Sequence, residues 1–186
     1  MQVHALEGGF SDAPVEASHA FRAVMTAMAR PGEIVKLQGA QPPAPLSPAA
    51  GAVVLTLCDP DTPVFLGAAY DTQPLRDWIT FHTGAPVVEA AHAMFAIGAW
   101  DDLPLDAFAV GTAEYPDRSA TLIVELDRLN NTGATLRGPG IKEAAALSLP
   151  DTDVFAHNVQ LFPLGLDFIF TCGARLAALP RSTRVS

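Results

Sequence analysis

Lysine is almost missing from this chain. Among 186 residues only Lys36 and Lys142 are lysine, so chemistry that needs a lysine amine must run through one of the two. Cysteine is as scarce. Cys58 and Cys172 both sit in apolar runs, where free cysteine behaves as a small buried hydrophobe. Two such residues make no disulfide framework and no cluster-binding set, and the pattern suits a reducing compartment. Long apolar runs are lacking too: the longest, Ala49 to Cys58, falls far short of the ~20 residues that span a bilayer. Met1 to Phe10 has neither the basic start nor the apolar run of a secretory signal. The expectation is a cytoplasmic protein with no membrane attachment.

Charge is the next shortage. Charged residues make up 17% of the chain, against about 25% in an average domain. Hydrophobic residues reach 49%. Alanine inflates that figure, but the low charge also suits a surface partly covered by other chains, since interface cores lose charged residues. The net charge of −9 speaks against nucleic acid, whose binding depends on many Lys and Arg neutralising phosphates. Small polyanions stay open, because a few arginines can act locally. A chain of this length reads as a single domain, residues 1–186, able to bury roughly 70% of its unfolded surface without staples.

Periodicity then gives the elements. Pro14 opens a helix over Val15 to Ala29, with Phe21, Val24, Met25 and Met28 as one apolar stripe, and Pro31-Gly32 ends it. Ile34 to Leu37 is a short strand. The proline-rich Gln41 to Pro48 is an extended surface loop. Ser47 caps a helix that has Pro48 at its first position and runs to about Cys58. A turn at Asp59 to Pro63 leads into a strand at Val64 to Leu66. Thr72 to His82 is a helix whose buried side is Leu75, Trp78 and Ile79, ended by Thr83-Gly84. Met94 to Ala99, Ala120 to Leu126 and Ala134 to Arg137 are strands, and Asp151 to Leu161 is a helix. Phe168 to Thr171 and Leu176 to Leu179 form a hairpin about Cys172-Gly173, stopped by Pro180. The fold class is α/β, with a mixed central sheet flanked by helices.

Catalytic signatures are not found. Neither a phosphate loop nor a dinucleotide fingerprint occurs. His4, His19, His82, His92 and His157 never stand at spacings that aim two imidazoles at one ion, so no metal is expected. His82, at a helix end, suits bonding to the last carbonyls there. Cys172 has no neighbouring base and reads as packing. Asp59 and Asp61 around Pro60 are ordinary turn formers. Two places gather anion donors. Arg137 and Lys142 flank Gly138-Pro139-Gly140, whose backbone can form an anion nest or a plain surface turn. Arg181, Ser182, Thr183 and Arg184 can grip a phosphate or fray as a chain end. The candidate anion-binding residues are therefore Arg137, Gly138, Gly140, Arg181 and Arg184, with no catalytic residue assigned.

The order of pieces from Phe162 to Arg184 resembles the C-terminal end of the H-subunit family of the bacterial carbon–phosphorus lyase core complex. Further segments resemble it in the same order: Phe21-Arg22 through Arg30-Pro31-Gly32, Thr56 to Val64, Phe81 to Pro86, Gly111 to Glu114, Ala120 to Ile123, and Gly138 to Ile141. The resemblance implies a fold like that of the pyridoxal-phosphate-dependent transferases without the cofactor. It implies partners G, I and J, with subunit L associated; alone, the chain is expected to self-associate most simply as a twofold homodimer, the commonest symmetry. It also implies a supporting role when alkylphosphonate displaces adenine from ATP to give ribose 1-alkylphosphonate 5-triphosphate, with catalysis placed in I and J. Two other readings stand beside it: a subunit that binds phosphonate or nucleotide phosphate directly, and an independent pyridoxal-phosphate enzyme on Lys36 or Lys142. Neither lysine has a recognisable cofactor setting.

Overall fold

Three helices begin on the same local device, a capping side chain followed at once or one residue later by proline. The computed structural model describes residues 7–186, so His4 and the first six positions of the N-terminal stretch lie outside it. Helix α1 (Ala13–Ala29) starts with Asp12 accepting from the Val15 amide, while the Glu16 carboxylate reaches back 2.9 Å to the Asp12 amide. That reciprocal pair satisfies two otherwise orphaned donors. Ser47 caps α2 (Pro48–Leu57), and Thr72 caps α3 (Gln73–Thr83), which ends at Gly84 in the left-handed region with φ 72°. Asp151 caps α4 (Thr152–Gln160) through the amides of Asp153 and Val154.

The strands are β1 (Val35–Lys36), β2 (Val64–Leu66), β3 (Phe95–Ala99), β4 (Thr121–Glu125), β5 (Ala134–Arg137), β6 (Ala145–Leu147), β7 (Asp167–Cys172), β8 (Arg175–Leu179) and β9 (Arg184–Val185). Six of them form one mixed sheet in the order β1-β8-β7-β4-β3-β2. From β2 to β7 the pairing is parallel, with Ile97 opposite Ile123 and Ile123 opposite Ile169. The hairpin then sets β8 antiparallel to β7, and β8 holds β1 at the edge.

Alternation along these strands divides the core. Ile97, Ile123, Ile169 and Ala178 point to one face, where α1, α2 and α3 pack. Ala96, Leu122, Val124, Phe168 and Phe170 point to the other, under α4 and a second sheet. Phe155 of α4 meets Phe168 and Phe170 edge-on, at centroid distances of 5.0 and 5.8 Å. Such contacts add about 0.5–1.5 kcal/mol each beyond burial.

The stripe expected on α1 is displaced. Ala20, Val24 and Ala27 are the buried residues, whereas Phe21 and Met25 are each 51% exposed. The cause lies in the neighbour: α2 is Pro-Ala-Ala-Gly-Ala-Val-Val, with Ala49 to Val54 all buried. A helix of small residues draws its partner close, and alanine on α1 fits that approach where Phe and Met do not.

The second sheet corrects the sequence reading further. β6-β5-β9 is antiparallel, and neither β6 nor β9 was expected. The chain end is no frayed tail, because Val185 pairs with Leu136 and Thr183 is 2% exposed.

Arg181 ties these parts together. Its backbone amide and Nε bond Asp167 at the start of β7, and Nη2 stands 2.5 Å from Asp167 Oδ2. Nη1 donates to the carbonyls of Pro116 and Pro163, and Nη2 also to the Ser119 hydroxyl. The pair is only 14% and 17% exposed. Breaking a fully buried pair costs about 3–5 kcal/mol, and residual solvent lowers that here. Arg181→Met and Asp167→Asn should each lower stability by about 2–3 kcal/mol, and the double variant by clearly less than the sum. Additive losses in urea unfolding would contradict a coupled pair.

Cys58 gives a pH prediction. Burial, then the neighbouring Asp59, pushes its thiol up to about 12, against the opposing Thr62 hydrogen bond. The folded chain therefore holds this proton after the unfolded chain, ionising near 9.0, has lost it. The associated stability is complete below that value and is lost as pH climbs towards 12. Urea midpoints should fall above pH 9, less steeply in Cys58→Ala. In the native state a thiol reagent should leave Cys58 unmodified until denaturant is added.

Candidate anion site

The two cationic patches, more than forty positions apart at their extremes, become neighbours. β5 carries Arg137 outward at its end, and β9 places Arg184 directly opposite in register. The bonds between Thr135 and Ser186 run both ways, at 2.7 and 3.0 Å. Alternation then buries Leu136 and Val185 and turns both arginines to the exposed side. Like charges directly opposite on a sheet repel, so this pairing favours a bridging anion. Arg137 donates from Nη1 to the Glu143 carbonyl at 3.2 Å. Arg184 and Lys142, both exposed, have no ion pair among the described residues.

The glycines of the turn are there for close approach. A Cβ on Gly140 would stand 1.9 Å from the Ala29 carbonyl oxygen, and one on Gly138 would stand 3.1 Å from that of Ser182. Both have positive φ, 80° and 146°. The turn thus packs onto the end of α1 and onto the β8–β9 connection, beside Arg30. The Arg30 guanidinium lies 3.5 Å from Glu33. Thr183, close to Gly138, has a buried hydroxyl with no hydrogen-bond partner.

Arg181 stands apart from this corner in what it can do. An arginine has five N–H donors, and here Asp167, Pro116, Pro163 and Ser119 take them all. Its guanidinium is a strut between β7 and the loop before β4, with no donor left to turn outward. Arg137, Gly138, Gly140 and Arg184 are the residues that the fold gathers.

Other sequence candidates resolve into packing. The His82 ring does not bond the last carbonyls of α3. Its Nε2 lies 3.4 Å from the Glu7 carbonyl and its ring packs between Trp78 and Phe81. Asp59 forms a turn, accepting from the Asp61 amide. Cys172 contacts the Asp127 carbonyl and Arg175. No group of three or more His, Cys, Asp or Glu among the described residues is placed to hold a metal ion. No helix there is long and apolar enough to cross a membrane.

A cleft at the strand ends was not legible in the sequence. Tyr70, Trp100, Asp101, Glu125 and Asp127 line a cleft of about 360 Å³ with Pro45, Ala99 and Leu126. These residues are scattered over the chain in no motif, and only the parallel register of β2, β3 and β4 lines up their loops.

Comparisons with known proteins cover nearly the whole chain. The family described as bacterial phosphonate metabolism protein (PhnH) matches residues 8–186. The chain is 45% identical over 190 residues to the alpha-D-ribose 1-methylphosphonate 5-triphosphate synthase subunit PhnH of Rhizobium meliloti (strain 1021), covering 96% of this chain and 94% of that protein. It is 30% identical over 203 residues to the putative C-P lyase subunit protein HtxG of Stutzerimonas stutzeri, covering 97% and 96% of the two chains. The chain belongs to the bacterial phosphonate metabolism protein (PhnH) family.

Proposed function

We propose that this chain is a subunit of a carbon–phosphorus lyase complex, working in the cytoplasm in phosphonate catabolism. Its role there is to support formation of ribose 1-alkylphosphonate 5-triphosphate from ATP and an alkylphosphonate without supplying the catalytic groups. The observation that carries this reading is the 45% identity, across 96% of the chain, to a protein named as a subunit of such a synthase. Partners corresponding to subunits G, I and J follow from the same reading, as does a homodimer when the chain is alone. Exposed apolar side chains support an assembling surface: Phe21 and Met25 on α1 and Phe81 on α3 are each about half exposed. A fold like that of the pyridoxal-phosphate-dependent transferases belongs to the proposal as well.

An independent pyridoxal enzyme is a poor fit to the residues present. Lys36 is exposed on the edge strand β1, opposite Arg175, and Lys142 is exposed in the turn after Gly140. A Schiff-base lysine works inside a cleft, against an acidic partner for the pyridine nitrogen. Neither of these lysines lines the cleft around Tyr70 or the one formed by Gln73, Arg76, Asp77, Thr80 and Phe81 of α3 with Val87.

Direct anion contact is the second reading, favoured by the opposed pair Arg137 and Arg184. Phosphate or phosphonate oxygens from substrate, or carboxylates of a neighbouring subunit, would both relieve that repulsion.

Two experiments follow. Phe21→Asp with Met25→Asp should leave the melting temperature within a few degrees of wild type, because both side chains already face solvent. Co-purification with the G, I and J partners should fall sharply, and full recovery of the complex would exclude this face as a contact. Arg137→Ala with Arg184→Ala should keep the fold, and titration with ATP and methylphosphonate then separates the anion readings. Weaker ligand binding by an intact complex supports substrate contact. A lost complex with no ligand effect supports a bridge between subunits, and no change in either removes the corner from function.

A further inference from the structure

Parallel strands that run side by side end at one edge, and the crevice outside those carboxyl ends is where loop side chains converge unused by the sheet. Here β2 leads through Gly67 to Tyr70, β3 leads directly to Trp100 and Asp101, and β4 ends on Glu125 before Leu126 and Asp127. Pro45, from the loop before α2, closes one side.

Several contacts build this cleft. Glu125 forms its floor and is held from two directions. The Ser47 amide donates to Oε1 at 2.6 Å, and the buried Thr171 hydroxyl donates to Oε2 at 2.9 Å. Asp102 accepts from the Ala69 amide at 3.3 Å, which ties the loop after β3 to the loop after β2. A Cβ on Gly67 would lie 2.8 Å from that of Asp102, so glycine is what lets the two loops meet.

Tyr70 adds a polar group to the cleft. The residue is 8% exposed and lines the cleft, and its hydroxyl makes no hydrogen bond to any described residue. That oxygen is not among the buried polar atoms, so it opens into the cleft, free to meet a ligand. Glu125, Asp102 and Asp127 are close enough that, after burial itself, their charges help push its ionisation up to about 12. The phenol therefore stays neutral, and Trp100 lines the same cleft. Around the two rings stand Asp101, Glu125 and Asp127, and no lysine or arginine lines the cleft.

That composition has one sign. Carboxylates repel phosphate and phosphonate, so the cleft is unsuited to the anions that suit Arg137 and Arg184. A positive group gains twice: the carboxylates accept its N–H bonds, and the electron-rich ring of the partly exposed Trp100 attracts it. We propose that the cleft bounded by Tyr70, Trp100, Asp101, Glu125 and Asp127 binds an organic cation of the alkylammonium or guanidinium type. The cation comes either as a free small molecule or as a lysine or arginine side chain of a neighbouring subunit. The site is separate from the anion corner and can be tested on the isolated full-length chain.

The test is titration of that chain with n-butylammonium and agmatine, alongside n-butanol and butyrate as neutral and anionic counterparts, followed by ring signals of Tyr70 and Trp100 in NMR. Both cations should perturb those signals, and the two counterparts should not. Asp127→Asn should weaken cation binding about tenfold, the order expected for one hydrogen bond to a charged group. Tyr70→Phe, which removes only the unsatisfied hydroxyl, should weaken it less and keep the wild-type melting temperature. Repeating the titration on the assembled complex identifies the source. Binding retained there indicates a free cation, and binding present only in the isolated chain indicates that a partner's cationic side chain fills the cleft. Failure of both cations to bind, equal binding of n-butanol, or undiminished affinity in Asp127→Asn would overturn the proposal, whatever the outcome of the assembly experiments.

Discussion

Burial of the central strands on both faces governs everything else in this molecule. β4 and β7 have neighbours on both edges and cover on both sides, and Leu122 to Val124 and Phe168 to Thr171 are essentially inaccessible to water. Strands in that position must be apolar throughout and must pair every amide. Two covering layers are therefore required. One is the small-residue helix packing of α1 and α2 with α3, and the other is α4 with the second sheet. The short elements at the chain end exist to complete that second layer, which is why Val185 is buried and pairs with Leu136. Asp167 sits at the start of β7, where this doubly buried region meets solvent, and Arg181 neutralises it there.

The same architecture separates charge in space. The chain has few cations, and Arg137 and Arg184 come together where the second sheet meets the end of α1, with Lys142 exposed in the adjoining turn. Carboxylates gather instead at the carboxyl ends of the parallel strands, where Glu125, Asp127 and Asp101 close on Tyr70. An acidic chain with one concentrated cationic corner can meet an anion without attracting polyanions generally. The lining at the strand ends carries the opposite sign. Relatives in its family are named as a subunit of a synthase and as a putative C-P lyase subunit.

How far the sequence could be read differed from element to element. Helix starts were plain, because Asp12, Ser47 and Thr72 with their prolines act within one turn of chain. The hairpin about Gly173 and the buried side of α3 were equally plain, since each depends on residues within a few positions of one another. The stripe of α1 misled, because periodicity marks apolar residues but not which of them a particular neighbour admits. Arg181 looked like a free cation, and nothing local announces Asp167, fourteen positions earlier, as its partner. Two-residue β9 has no pattern of its own; pairing with β5 alone makes it a strand.

The sequence by itself determined the class of fold, most of the elements and the family, because caps, turns and alternation are short-range physics and because the matched segments run in order. Tertiary structure alone decided which apolar residues face outward, which arginine is a strut, and which are left exposed. It alone assembled the cleft at Tyr70, since its lining comes from loops after three different strands and becomes a site only when their parallel register aligns those loops. Side chains far apart in the chain acquire a common chemistry only through the distances that packing imposes, and those distances are written in no single stretch of residues.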